Sequence, residues 1–165
     1  DMAKIIKLTQ GKEAIVDDSD FYMVSKFKWY ACKLGNTFYA VRGTYENGVK
    51  GTMLMHRYLL SVTDPKKMVD HKDSNGLNNQ RDNIRICTAA QNQANRRHMK
   101  GSSSKYKGVH FHKITKKWRA VIFENSRPLH IGLFKDESDA ALAYNTFAVK
   151  IHGEFAYLNK ICDDI

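Results

Sequence analysis

With 165 residues and 19.0 kDa, the chain is long enough for one ordinary domain or two small ones, and 42% hydrophobic with 27% charged residues is a globular composition, not a disordered one. No apolar run approaches the roughly 18 residues of a membrane span and no charged-then-apolar leader is visible, so neither a membrane protein nor a secreted one is expected. The formal charge is +10 with a pI near 9.5, which favours a polyanionic partner; residues 96–135 hold 11 bases against 1 acid, whereas residues 1–95 hold 14 against 10 and residues 136–165 hold 2 against 6.

Residues 2–50 read as short strands joined by turns, in the runs KIIKL, EAIVDD, FKWYACK and TFYAVRGTY. Phe38, Ala40 and Arg42 alternate with Tyr39 and Val41, and Gly35, Gly43 and Gly48 mark hairpin turns. Asp17 to Phe27 suits a brief helical turn. Residues 52–62 place Leu54, Met55, Tyr58, Leu59 and Val62 at helical spacing, which predicts a short amphipathic helix. Met68–Lys72 then reads as a strand, Asp73–Asn83 as a loop of turn formers, Ile84–Thr88 as a second strand and Ala89–His98 as a helix, opened by a T-x-x-Q capping box at Thr88 and Gln91. Strand, loop, strand, helix is a small ββα unit.

Gly101 followed by Ser102, Ser103 and Ser104 predicts a flexible tether over residues 100–105. Beyond it, YKGVHFH, KWRAVIFEN and RPLHIGLF read as three strands, and Asp136 to His152 as a helix closed by Gly153. Asp136, Glu137 and Asp139 sit in its first turn, where the helix dipole favours acids. Its stripe of Ala140, Ala141, Tyr144, Phe147, Ala148 and Ile151 is mostly small and suits close packing on a sheet. The fold class is α+β: a β-rich extension and ββα unit over 2–99, a linker over 100–105, and a three-stranded antiparallel sheet packed on one helix over 106–160. Cys32, Cys87 and Cys162 are scattered without a C-x-x-C pair, which fits a reducing compartment and plain packing or surface positions.

The chemistry concentrates in the ββα unit. Asp70 and His71 are adjacent in a strand, so they converge on one site only where that strand ends. Asn92 lies in the first turn of the following helix. A carboxylate and an amide oxygen beside an imidazole make a hard-cation site with a neighbouring base. Asn95, three residues on, shares the helical face of Asn92 and is the rival ligand.

The D-H pair, with twelve residues from His71 to Asn83 and nine from Asn83 to Asn92, resembles the HNH nuclease motif. MHRYLL and VDHKDSNGLNNQRDNIR extend the likeness over residues 53–97, toward the phage and intron-encoded homing endonucleases. The resemblance implies a ββα-metal nuclease in which His71 is the general base for the attacking water. Asp70 and Asn92 would then hold one divalent cation, Mg²⁺ first and Mn²⁺ second. It also implies that Asn83 ties the loop to the hairpin and helps orient His71. Other family members carry His at the third motif position; Asn there favours oxygen-loving ions over zinc. His56 reads as core packing, and Arg57, Arg96 and Arg97 as phosphate contacts or a solvated charged face.

The stretch after the tether resembles the ethylene-response-factor (APETALA-type) DNA-binding domain over residues 105–159, in its Y-x-G-V opening, Trp118, the I-G-L-F turn, the A-A-x-A-Y helix and a terminal A-x-L-N. In that family the sheet reads the major groove and the helix supports it. By position, Lys107, His110, His112, Arg119 and His130 would face the duplex, while Trp118, Ala120 and Ile122 pack on the helix. His110, His112 and His130 stand where plant members carry arginines and a tryptophan. Neutral His lacks the bidentate guanine contact of Arg, so a backbone grip is expected.

These readings converge on a metal-dependent DNA endonuclease of the homing or nicking type, for which the family resemblance implies a 5′-phosphate and a 3′-hydroxyl as products. Its partner is double-stranded DNA and not a membrane, with monomer or dimer left open. The resemblance implies a protein of a phage or bacterial mobile element, in the cytoplasm of a bacterial host cell. The alternatives are a non-enzymatic DNA-binding regulator with a decayed nuclease fold, and an RNA-binding protein.

Overall fold

The computed structural model describes residues 2–98 and 101–161; Met99, Cys162 and the first residue of the expected tether, Lys100, lie outside the described residues. The chain divides into two compact units, residues 1–89 and 90–165, ahead of the boundary expected at 99. Among the described residues no helix is long and apolar enough to cross a membrane. Cys32 and Cys87 are free thiols, half-buried and buried respectively.

In the first unit, strands β1 (Ala3–Lys7) and β2 (Glu13–Asp17) form an antiparallel hairpin, followed by helix α1 (Asp18–Ser25). Strands β3 (Tyr30–Leu34), β4 (Thr37–Glu46) and β5 (Val49–Leu54) form an antiparallel sheet in that order. Helix α2 (Met55–Leu59) leads to the hairpin of β6 (Met68–His71) and β7 (Ile84–Cys87). The core gathers Ile6, Ala14, Val16, Val24, Trp29, Ala40, Met55, Leu59 and Ile84. Period-two burial is clean in β2, where Ala14 and Val16 point inward and Ile15 does not.

The helix expected over 52–62 is cut to Met55–Leu59. Thr52, Met53 and Leu54 instead continue β5, opposite Gly43, Arg42 and Val41, so the ladder offered by β4 overrides the helical spacing of the apolar side chains. The Arg42 guanidinium lies 4.1 Å from the Phe27 ring, 5.3 Å from Tyr58 and 5.8 Å from Trp29, an aromatic box that closes this side of the core.

The second unit holds all but the first residue of helix α3 (Ala89–Asn95), then β8 (Val109–His112), β9 (Lys117–Glu124) and β10 (Arg127–Phe134), an antiparallel sheet of order β10-β9-β8, and helix α4 (Glu137–His152). Val109, Ala120 and Ile122 bury one sheet face with Ala140, Ala141, Tyr144 and Ala148 of α4, and Trp118 packs at the edge of this core. Gly108 has φ +76°, and a Cβ there would stand 2.2 Å from the Tyr144 ring, which accounts for glycine in the Y-x-G-V run. The Asn159 side chain pairs with both backbone groups of Lys107, at 2.7 and 3.1 Å, while the Asn145 amide pairs with the backbone of Asn159 at 2.8 and 2.9 Å. The terminal A-x-L-N run thereby closes the module.

The serines expected to be a tether are fastened to this unit. Ser104 is buried, donates to Glu137 Oε1 at 2.6 Å and accepts from Tyr106 N at 2.9 Å, while Ser103 Oγ accepts from Phe111 N at 2.9 Å. Short hydroxyl side chains serve flexible linkers and tight backbone caps equally well, and here they cap.

Candidate active site and nucleic-acid face

Strand β6 ends in Asp70 and His71, opposite Arg85 and Ile84 of β7. Asp70 Oδ2 accepts from Arg85 Nη2 at 2.9 Å and Nε at 3.2 Å, and the two side chains are only 7% and 11% exposed. His71 is buried beside this pair, its ring edge-on to His56 of α2 at 4.9 Å and to Tyr39 of β4 at 5.8 Å. Its Nε2 lies 3.3 Å from Asn79 Oδ1. Burial holds the His71 imidazole below the ordinary histidine range, against the opposing pull of the Asn79 bond and of Asp73 and Asp70. Burial, with the nearby His71 and Arg57, takes His56 down to about 3. The site therefore contains two neutral imidazoles at pH 7.

The loop 73–83 has its own bracing. Asn83 Oδ1 accepts from Asp73 N at 3.1 Å, and its Nδ2 donates to Asp73 Oδ1 at 3.0 Å and Asn78 O at 2.8 Å. Lys72 N donates to Asn83 O at 2.9 Å, joining the loop ends. Asn83 thus ties the loop, and a side-chain bond to the His71 ring comes from Asn79. Gly76 passes so close to β4 that a Cβ would lie 2.5 Å from Phe38 O. Asn79 is fully buried, and nothing in an asparagine-rich loop sequence distinguishes it from Asn75 or Asn78.

The N-terminal strands also reach this loop. Ile15 N donates to Leu77 O at 2.8 Å and Asn79 N donates to Ile15 O at 2.7 Å. Asp17 accepts from Gln80 Nε2 at 3.1 Å and Arg81 N at 2.8 Å, and Asp20 takes the Arg81 guanidinium. Asp17, Asp20 and Arg81 carried no sequence signal beyond ordinary surface charge.

Donor chemistry tests the implied cation. Among the described residues no group of three or more His, Cys, Asp or Glu side chains could hold a metal ion. A carboxylate at Asp70 and an amide at Asn92, on α3 in the second unit, are hard oxygen donors and too few for a tetrahedral zinc cage. Each taken by itself is a donor of the kind used by ions that keep several waters and take phosphate oxygens, as Mg²⁺ does. Asn95, the rival ligand, is buried.

The expected nucleic-acid contacts separate into two groups. Arg57 donates through Nη1 to Lys67 O and through Nη2 to Asp64 O, both at 2.7 Å, so it braces the turn after α2 instead of offering its fork to phosphate. Lys107 is turned inward: its Nζ donates to Ala94 O and, at 3.3 Å, to Gln93 O, capping the C-terminal carbonyls of α3 where the helix dipole favours a cation. Tyr157 N shares Ala94 O at 3.3 Å, and Arg96 N takes Gln93 O at 3.3 Å. These bonds stop α3 at Asn95, short of His98. Arg96 Nη1 bonds the Gln93 side chain at 3.0 Å, and Arg97 is exposed.

His110, Arg119 and His130 are exposed on the sheet face opposite α4, with His110 and Arg119 paired across strands and His130 opposite Val121. His112 shares that face, its Nδ1 2.8 Å from Thr115 Oγ1. Burial, Arg119 and His98 keep His110 below the ordinary range, so the face carries Arg119 and Lys117 as charges and His110 as a neutral donor–acceptor. Phe123 and Leu133 add exposed apolar surface to it.

No protein-family model and no solved structure matches the chain. Over 69 residues, 42% of this chain and 14% of the relative, it is 35% identical to an AP2-like ethylene-responsive transcription factor of Arabidopsis thaliana. Over 158 residues, 92% of this chain and 77% of the relative, it is 36% identical to an uncharacterized HNH endonuclease of Acanthamoeba polyphaga mimivirus. Identity at that level across both units, together with a β6–β7 hairpin ending in Asp-His, has one consequence for classification: the chain belongs to the HNH endonuclease family.

Proposed function

We propose that the protein is a metal-dependent DNA endonuclease of the nicking or homing type. One observation carries this reading: a buried, neutral His71 imidazole is anchored through Nε2 at 3.3 Å and sits next to the Asp70 carboxylate at the end of β6. A histidine meant only for packing needs no adjacent carboxylate, whereas a general base needs its lone pair free at pH 7 and its ring held. His71 takes the proton of the attacking water. Asp70 and Asn92 would hold the divalent cation, Mg²⁺ or Mn²⁺, which would supply neutralisation of the charge that develops during cleavage. Asn83 keeps the loop closed behind His71. The sheet face of His110, Arg119 and His130 grips duplex DNA, and the viral relative supports a virus- or phage-borne gene.

The Asp70–Arg85 ion pair favours a second reading, a DNA-binding regulator whose nuclease site has lost its ion, because the guanidinium occupies the oxygen a cation would take. Nicking of supercoiled plasmid with and without Mg²⁺ separates the two. Wild type is expected to nick only with the ion and His71→Ala not at all; equal nicking by both proteins rejects the assignment of His71.

A further inference from the structure

We infer that Asn79, held by strand β2 and by the Asp17–Asp20–Arg81 clamp, is the positioning residue for His71, and that the N-terminal hairpin with α1 is the frame that keeps it there. The inference rests on the reading of His71 as the base. Its geometry begins with the amide of Asn79. Nδ2 donates to Leu77 O at 3.2 Å, and Leu77 O is itself held by Ile15 N at 2.8 Å. Turning the amide over would set its oxygen against the Leu77 carbonyl, two acceptors face to face. Only one orientation therefore satisfies both ends, and it presents Oδ1 to His71 Nε2 at 3.3 Å. An acceptor there requires Nε2 to carry the hydrogen. That tautomer suits a base acting through Nδ1, and the ring cannot turn without losing the bond to Asn79.

Asn79 is itself immobilised from three directions. Its N–H donates to Ile15 O at 2.7 Å, forming with Leu77 a short parallel bridge between β2 and the loop. On the C-terminal side, Asp17 takes Gln80 Nε2 and Arg81 N, and Asp20 takes the Arg81 guanidinium through two bonds of 2.8 Å. On the N-terminal side, Gly76 N donates to Thr37 Oγ1 at 3.2 Å. A loop that only joined β6 to β7 would need none of these. Ile15 and Asp17 of β2, Asp20 of α1 and Thr37 of β4 fasten it on either side of Asn79, which is fully buried.

The test uses the full chain labelled with ¹⁵N-histidine, without metal, at pH 7.5. Long-range ¹H–¹⁵N correlations report which ring nitrogen of His71 carries hydrogen, with His71→Gln giving the assignment. Wild type is expected to show Nε2–H alone. Asn79→Leu, which removes the acceptor, should show a mixture of tautomers; its single-turnover nicking rate should fall on the order of 10–100-fold with duplex affinity unchanged. Asn79→Asp, which restores an acceptor oxygen, should return the Nε2–H form and most of the rate. If leucine prevents folding, Asn79→Ala removes the acceptor without bulk and carries the same comparison. An unchanged tautomer and rate in Asn79→Leu or Asn79→Ala overturns the inference, as does an aspartate variant that folds yet rescues neither. Full nicking by His71→Ala would instead refute the base assignment and leave the tautomer result standing.

Discussion

Asp20 and Arg81, separated by 61 positions in the chain, meet in two hydrogen bonds of 2.8 Å, Nε to Oδ2 and Nη2 to Oδ1. The partners are unequally placed: the Asp20 side chain is 6% exposed and that of Arg81 49%. Removing the arginine strands a carboxylate inside the protein, a loss of about 3–5 kcal/mol for a buried charge left unpaired. Removing the aspartate leaves a guanidinium that reaches water, so the loss is that of the bonds alone, about 1.5–3 kcal/mol. Urea unfolding should rank Arg81→Met as more destabilising than Asp20→Ala. The reverse order would show that the pair is not governed by the burial of Asp20.

Lys107 and Arg119 separate capping from DNA binding. Both were expected on the duplex, yet only Arg119 lies on the open sheet face. Arg119→Ala should weaken duplex binding and lower the slope of log affinity against log salt by about 1, as follows when one phosphate is no longer neutralised by the protein. Lys107→Met should leave the slope unchanged, because its ammonium is directed at the α3 carbonyls and not at phosphate. A salt titration of duplex binding for both variants decides it, and a reduced slope in Lys107→Met would return Lys107 to the DNA face.

Lys107 also predicts a stability change in alkali. Burial, with Arg96 nearby, lowers its ammonium from 10.5 to about 8. Between those values the unfolded chain binds more protons at this position than the folded one, so unfolding takes up a proton and stability rises with pH across the window. Wild type should therefore gain stability from this position between pH 8 and 10.5, and Lys107→Met should lose that gain. Urea midpoints of both proteins at the two pH values measure it; parallel curves would mean that Lys107 keeps its charge.

The contrast between what the chain spelled out and what it concealed is physical. Hairpin β6–β7 and the sheet with α4 were legible because alternating apolar side chains and an alanine stripe are local patterns. Asp70 and His71 were legible as an adjacent pair with a defined spacing to Asn83. The Asn79 bond to His71 was not, because it depends on β2 meeting a loop more than sixty residues away through backbone groups that every residue shares. The inward turn of Lys107 was hidden for a related reason. Its partners are the carbonyls of α3, and a lysine in a basic run looks the same whether it faces phosphate or a helix end. Ser102 to Ser104 failed as a tether because a serine run records capacity for hydrogen bonding, not whether partners such as Glu137 are present.

The two imidazoles of the site predict its behaviour in acid. His56, taken from 6.5 to about 3 chiefly by burial, stays neutral in the folded protein while the unfolded chain protonates it below 6.5. The folded state then binds fewer protons, so this contribution to stability is complete above pH 6.5 and is lost progressively as pH falls toward 3. His71, lowered in the same direction, adds to the loss. His56→Phe keeps an aromatic ring against His71 and removes the titrating group, so its urea midpoint should drop less than that of wild type between pH 8 and pH 5. The depressed His71 value has a second consequence, since a neutral imidazole is the form that accepts a proton. In single-turnover nicking at saturating Mg²⁺, the pH at which the rate halves should therefore lie below the ordinary histidine value of 6.5. A rate that halves near pH 6.5 would show that the His71 ring titrates as though it were in water.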